Sequence, residues 1–190
     1  MGFDLRILEP LGALPAQYAP QYVDAPEYFR IPVAAMEAMR AALRVADVLD
    51  ESARTPSFPP WPPPEAQSDF EPVARAAERT SLEPPSTATE LAALDAYRAR
   101  RATVLRTTSG DPARVPAFKL GSNDGWIVSA PEAHAIAAGL RAALAADPDA
   151  LHEAMRAAGS PLARPEALAW VAAFAAYNEL AAEHGGYRVA

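Results

Sequence analysis

The chain has 190 residues, a net charge of −7 and no cysteine. This charge argues against a nucleic-acid groove, where basic residues are expected to cluster. The missing cysteines exclude disulfides, thiolate catalysis and cysteine-bound metals. A hydrophobic content of 51% with 20 prolines predicts a single globular domain, 1–190, in which several segments are extended or turned.

The first 60 residues predict one strand, one loop and one helix. Residues 3–8 alternate apolar and polar side chains, which indicates a half-buried strand. The stretch 10–26 is rich in Pro, Tyr and Gln and is expected to be a loop. A helix is predicted to begin near Pro32, because proline is tolerated in a first turn. Apolar residues then recur at helical spacing to about Asp50.

The stretch 55–72 is proline-rich and contains Phe58 and Trp61. Consecutive prolines cannot enter a helix or a central strand, so a polyproline-like conformation is expected. We interpret this stretch as a surface strap that the two aromatic rings anchor to the protein. The alternative is that the proline run is itself a ligand for an aromatic-lined groove of a partner. A short helix is predicted over 73–80, and a capping box at 87–90 predicts a longer one after it.

The second half predicts two short strands, 117–120 and 126–128, joined by a hairpin loop with two glycines. A capping box at 129–132 opens a helix, and a second helix follows from 147–148. The last helix begins at 165–166 and carries three aromatic residues on one stripe, which indicates core: Trp170, Phe174 and Tyr177.

A pair of glycines stops the last helix, and 187–189 is expected to add a final strand. These elements predict an α+β fold that is mainly helical. Alanine-rich helices would pack on a small antiparallel sheet built from both chain ends and the central hairpin. No apolar run is long enough to span a bilayer, and no signal-peptide core follows Met1. A soluble cytoplasmic protein without a membrane or nucleic-acid partner is therefore expected.

The central segment 118–128 is composed unlike the rest of the chain. It holds the only lysine, Lys119, and one of two asparagines, Asn123, beside Asp124 and Trp126. One interpretation is a recognition loop with a cation, hydrogen-bonding groups and an aromatic wall. The other is a tight turn in which Asn or Asp bonds the backbone and the tryptophan is core. Strand alternation favours a buried Trp126, on the face opposite Lys119.

No known catalytic spacing is present. A phosphate loop and a nucleophile elbow are both missing, and no serine lies three residues before the lysine. His134, His152 and His184 lie on three predicted helices without metal-ligand spacing. The sequence therefore predicts no metal, no cofactor and no catalytic residue.

Patches from about position 28 to the end resemble a group of small uncharacterised bacterial proteins with no established activity. The residues that carry the resemblance are Tyr28, Phe29, Arg30, Met36, Met39, Arg40, Phe58, Trp61, Phe118, Lys119, Ser122, Asn123, Asp124, Gly125, Trp126, His184, Gly185, Gly186 and Tyr187. In that group a Lys-Phe-x-Ser-Asn-Asp-Gly-Trp segment precedes a helix, whereas here Lys119 follows Phe118. The resemblance implies that this segment and 28–30 form a shared feature, adjacent in space.

Two hypotheses of function follow. The first is a non-enzymatic cytoplasmic binding protein, immunity- or antitoxin-like, whose partner is another protein. The second is a small-molecule or enzymatic site around the central hairpin, and a structural or assembly component is a further alternative. The candidate recognition residues are Lys119, Ser122, Asn123, Asp124, Trp126, Tyr28 and Arg30.

Overall fold

The computed structural model describes residues 2–9, 28–60 and 88–190, with only the backbone at 89 and 90. Two compact units are present, Met1–Arg54 with Thr108–Ala190, and Thr55–Thr107. The expectation of a single domain stays a prediction. Within the described residues, no helix is long and apolar enough to cross a membrane.

The described elements confirm a mainly helical α+β fold. The strands are β1 (Gly2–Ile7), β2 (Tyr28–Pro32), β3 (Leu49–Asp50), β4 (Val115–Pro116), β5 (Ile127–Ser129) and β6 (Gly186–Val189). The helices are α1 (Val33–Val45), α2 (Ala88–Leu105), α3 (Ala130–Ala146), α4 (Pro148–Ala157) and α5 (Arg164–Glu183). Helix α2 belongs to the smaller unit and the other helices to the larger one.

The larger unit is built on a four-stranded antiparallel sheet in the order β2-β1-β6-β5. Helix α5 packs on its inner face, where the Phe29 ring centroid lies 5.3 Å from that of Phe174 and 5.4 Å from that of Tyr177. The predicted aromatic stripe of α5 is thus confirmed as core, and Trp170 is also buried. The opposite face of β1 and β2 carries polar side chains, so this sheet has one packed face and one outer face.

The predicted central hairpin is wrong. Residues 117–120 form a 3₁₀ turn, closed by a hydrogen bond of 3.1 Å from the Gly121 amide to the Phe118 carbonyl. Strand β5 pairs with β6 instead. Pro116, the last residue of β4, enters this turn with φ −54°.

Strand β2 and the two-residue parallel pair of β3 with β4 are further elements that the sequence pattern did not predict. The capping box at 129–132 is confirmed. The predicted loop 10–26 lies outside the described residues, as do the predicted helix 73–80, the capping residues of 87–90 and most of the strap, including Trp61. Phe58 is half-buried, and the Arg101 guanidinium lies 5.3 Å from its ring centroid.

Candidate functional site

Lys119 is fully buried in the 3₁₀ turn before β5. Its ammonium donates to both carboxylate oxygens of Glu132, at 2.8 and 2.7 Å, and to the Ile127 carbonyl at 2.6 Å. Burial lowers the pKa of Lys119, and the Glu132 carboxylate acts against that shift. All three ammonium hydrogens therefore have acceptors inside the protein, and the cation offers nothing to a ligand.

This ion pair covers the outer edge of β5. The Trp126 carbonyl accepts a hydrogen bond of 2.8 Å from β6, so its backbone faces that strand. Because backbone direction alternates along an antiparallel strand, Ile127 and Ser129 face away from β6. Lys119 binds the first of these edge groups, and Glu132 accepts from the Ser129 amide at 2.8 Å. The only lysine of the chain thus has a structural role.

A side-chain relay holds the loop between the turn and β5. The Trp126 indole donates to the Ser122 hydroxyl at 2.9 Å, and that hydroxyl donates to the Asp124 carboxylate at 2.6 Å. Gly125 has φ +87°, a conformation that favours glycine. Trp126 is fully buried, as predicted. The arrangement matches the turn interpretation of these residues.

Asn123 caps the backbone of a different strand. Its side-chain amide donates to the Gly2 carbonyl at 2.9 Å. Asp4 exchanges both backbone hydrogen bonds with Ala190, at 2.7 and 2.9 Å, and Gly2 lies beyond that pair. Asn123 therefore supplies a donor to β1 where the pairing with β6 has ended.

The polar side chains of the central segment make contacts within the protein. Lys119 and Trp126 are buried, and the three polar residues between them bond within the loop or to β1. Two grooves of about 1040 and 700 Å³ open on the larger unit, and none of the seven predicted recognition residues lines either groove. Among the described residues, no cluster of His, Asp or Glu is arranged to hold a metal ion.

Tyr28 and Arg30 lie on the outer face of β2, and the Arg30 side chain passes close to Gly2, the residue whose carbonyl Asn123 binds. The Tyr28 hydroxyl donates to the Asp4 carboxylate, and the Arg30 Nε lies 3.8 Å from the same oxygen. The hydrogen bond to Asp4 raises the pKa of Tyr28. The Arg30 side chain is 59% exposed, so its guanidinium remains accessible.

Two further arginines share this face, and the sequence reading did not single them out. In the strand register Arg6 stands directly opposite Tyr28 on one side and Arg188 on the other. The Arg6 guanidinium lies 5.6 Å from the Tyr28 ring centroid. Both arginines are exposed, and Arg188 has no ion pair with any described residue. The only sequence signal was their polar position in alternating terminal strands.

We call this surface the arginine face and define it by Arg6, Arg30, Arg188, Tyr28 and Asp4. Three cations against one carboxylate give it a formal charge of +2, although the whole chain carries −7. Guanidinium groups bind carboxylates through paired hydrogen bonds, and a neighbouring tyrosine adds apolar contact area. The face therefore carries groups that can bind carboxylates.

No protein-family model, curated protein or solved structure matches this chain. The resemblance to the bacterial group therefore stays a prediction.

Proposed function

We propose that the protein is a non-enzymatic cytoplasmic binding protein, and that the arginine face docks an acidic surface of another protein. The proposal has support from the exposure of the face and from its charge, which is opposite in sign to that of the chain. The aromatic ring of Tyr28 beside Arg6 adds the residue types that are enriched at protein interfaces.

The observation that carries the proposal is the Arg6–Arg188 pair. Like charges directly opposite each other on neighbouring strands destabilise a sheet by a few tenths of a kcal/mol to about 1 kcal/mol. The fold does not need this pair, because both side chains are exposed and Arg188 forms no ion pair with a described residue. A partner carboxylate placed between them would remove this repulsion. The free energy that the pair costs the unbound protein would then contribute to the free energy of binding.

The small-molecule hypothesis loses two of the groups that it required. A site around 121–126 needed Lys119 as an accessible cation and Trp126 as an exposed wall, and both side chains are fully buried. Tyr28 and Arg30 instead lie on the outer face of the sheet and line neither of the two grooves, which supports a protein partner over a small molecule.

A charge reversal tests the proposal. Tagged wild-type protein and the Arg6→Glu/Arg188→Glu variant are compared for proteins retained from lysate of the source cells. Any retained protein is then purified and titrated against each chain. The matched control is Arg156→Glu, which changes an exposed arginine of α4, far along the chain from the face.

The wild type and the control should bind the same partner with similar affinity, and the double variant should bind it at least about a hundredfold more weakly, or about 2.7 kcal/mol. The three proteins should melt within a few degrees of one another, because all three arginines are exposed and contacts between exposed charges contribute about 0–1 kcal/mol. A partner that binds the charge-reversal variant as tightly as wild type would refute the docking surface. A partner with a basic contact surface would refute the proposal that the arginine face binds an acidic surface. The absence of any stoichiometric partner would favour the assembly-component alternative.

A further inference from the structure

Among the described strands, β2 is the outermost one of the sheet and lies next to the arginine face. The backbone amide and carbonyl of Asp4 point toward β6. Those of the next residue, Leu5, therefore point toward β2, where Phe29 is the register partner of Leu5. Alternation then turns the Arg30 amide and carbonyl outward. Within the described part of the chain, neither of these two groups has a hydrogen-bond partner.

The side chains beside this edge differ on the two faces of the sheet. Arg30 and Tyr28 lie on the outer face with Arg6. On the inner face, Phe29 and Ile31 are buried, and a groove of about 700 Å³ opens at the end of the strand, where Pro32 is the one residue of β2 that lines it. Trp170 and Glu166 line this groove together with small and apolar residues from α1 and the loop before α5: Ala34, Ala35, Pro161 and Leu162.

We propose that the partner binds as an extended segment that adds a strand to β2, with acidic residues alternating with apolar ones. The inference rests on the proposed function and specifies its binding mode. Main-chain hydrogen bonds to Arg30 supply the pairing, and alternate side chains supply the specificity. Since side chains of a strand alternate between faces, acidic residues of the added strand lie on the outer face beside Arg30, while its apolar residues continue the inner face formed by Phe29 and Ile31.

A second copy of this chain fits the edge less well. Two copies that paired antiparallel about the middle of β2 would place Arg30 opposite Arg30, and like charges in that position are destabilising. An acidic segment instead complements the charge of the face. The observations therefore favour a heterologous partner over self-association.

The test uses the full chain and a fluorescein-labelled heptapeptide in which glutamate alternates with valine, starting and ending with glutamate. A lysine–valine heptapeptide is the control probe, and binding is read by fluorescence anisotropy. Three variants are compared with wild type: Arg30→Ala, Arg30→Pro and Arg6→Glu/Arg188→Glu. Proline removes the outward amide without removing a ladder bond, because that amide lies on the free edge. Arg30→Ala is its matched control for the loss of the guanidinium.

We expect the glutamate probe to bind and the lysine probe not to bind. Arg30→Pro should weaken binding at least about tenfold beyond Arg30→Ala, since only proline lacks the amide donor. In wild type, hydrogen exchange of the Arg30 amide should slow at least about tenfold at a saturating probe concentration. This second measurement does not depend on how well the proline variant folds.

The outcomes separate strand addition from the proposed function. If the double charge reversal abolishes binding while Arg30→Pro equals Arg30→Ala and the Arg30 amide exchanges unchanged, the arginine face binds anions but strand addition is refuted. If the charge reversal also leaves binding unchanged, or wild type binds neither probe, both proposals fail. If sedimentation shows a dimer that Arg30→Pro dissociates, the edge belongs to a second copy and the inference is overturned.

Discussion

Loss of the Lys119 ammonium should destabilise the protein far more than loss of a surface cation. The substitution Lys119→Met keeps the apolar stem and deletes the charge. It leaves the Glu132 carboxylate, which is 2% exposed, without its cation, and the Ile127 carbonyl without its donor. Removing one partner of a buried ion pair costs about 3–5 kcal/mol, because the remaining charge stays buried without compensation.

The reciprocal change distinguishes a coupled pair from two separate effects. Glu132→Gln removes the charge but keeps a side-chain oxygen. This oxygen can still accept the hydrogen bond that the Ser129 amide donates to Glu132 in the wild type, at 2.8 Å. The substitution should also cost about 3–5 kcal/mol, because Lys119 is then buried without an anion. The double variant Lys119→Met/Glu132→Gln should cost less than the sum of the single changes by about 2 kcal/mol or more, since neither charge remains.

Urea unfolding followed by circular dichroism and tryptophan fluorescence measures these free energies. The matched control is Arg141→Met, which breaks an ion pair with Glu179 whose side chains are 48% and 40% exposed. Exposed pairs contribute about 0–1 kcal/mol. The structural assignment of Lys119 is refuted if Lys119→Met costs no more than Arg141→Met, or if the two single effects simply add in the double variant.

Two further predictions concern the sheet and the core. Gly186→Ala should cost about 3 kcal/mol or more by urea unfolding, because Gly186 has φ +96° and an added Cβ would lie 2.1 Å from the Val128 carbonyl oxygen; Gly110→Ala is the control, with φ +85° but open space around it, and should cost about 1–2 kcal/mol. Equal costs would contradict the steric argument. Burial raises the pKa of both Tyr177 and Tyr187, so their folded-state pKa values exceed the unfolded value of 10.0. The stability that they contribute is complete below about pH 10 and should fall by about 1.4 kcal/mol per pH unit for each tyrosine above it. In an alkaline titration at 295 nm, these two tyrosines should ionise only as the protein unfolds, and their ionisation in the folded state would refute the assignment.

The sequence predicted the elements whose signals are local. The capping box at 129–132, the aromatic stripe of α5 and the strands near both ends of the chain depend on spacing within a few residues, and each was confirmed. Strand β2 was missed because Tyr28–Pro32 is short and Pro32 was assigned to a helix start instead. Its partner β1 lies beyond a long intervening stretch, so no local signal reports the pairing.

The role of Lys119 shows a different limit of sequence reading. Lys119 is the only lysine in an arginine-rich chain, and this drew attention to the segment 118–128, in which the lysine has its structural role. Its partner Glu132 was recognised only as a helix cap, because a buried ion pair across 13 positions depends on how the 3₁₀ turn meets α3. The Arg6–Arg188 pair is even less predictable from sequence, since only the register of β1 against β6 brings the two residues together.

The position of the arginine face on an acidic chain restricts how a partner can find it. At physiological ionic strength charges more than about 8 Å apart are largely screened, so the net charge of −7 repels an acidic partner only weakly and the face attracts it only at close range. Association then gains little from long-range steering, and selection depends on contacts made after encounter. A nucleic-acid surface would behave differently, because release of counterions makes its affinity fall by about 10³–10⁵ between 50 and 200 mM salt. Three arginines beside one carboxylate make too few phosphate contacts to produce such a strong salt dependence of the affinity. The small charge of the face therefore favours a protein partner that combines a few carboxylates with shape and backbone complementarity.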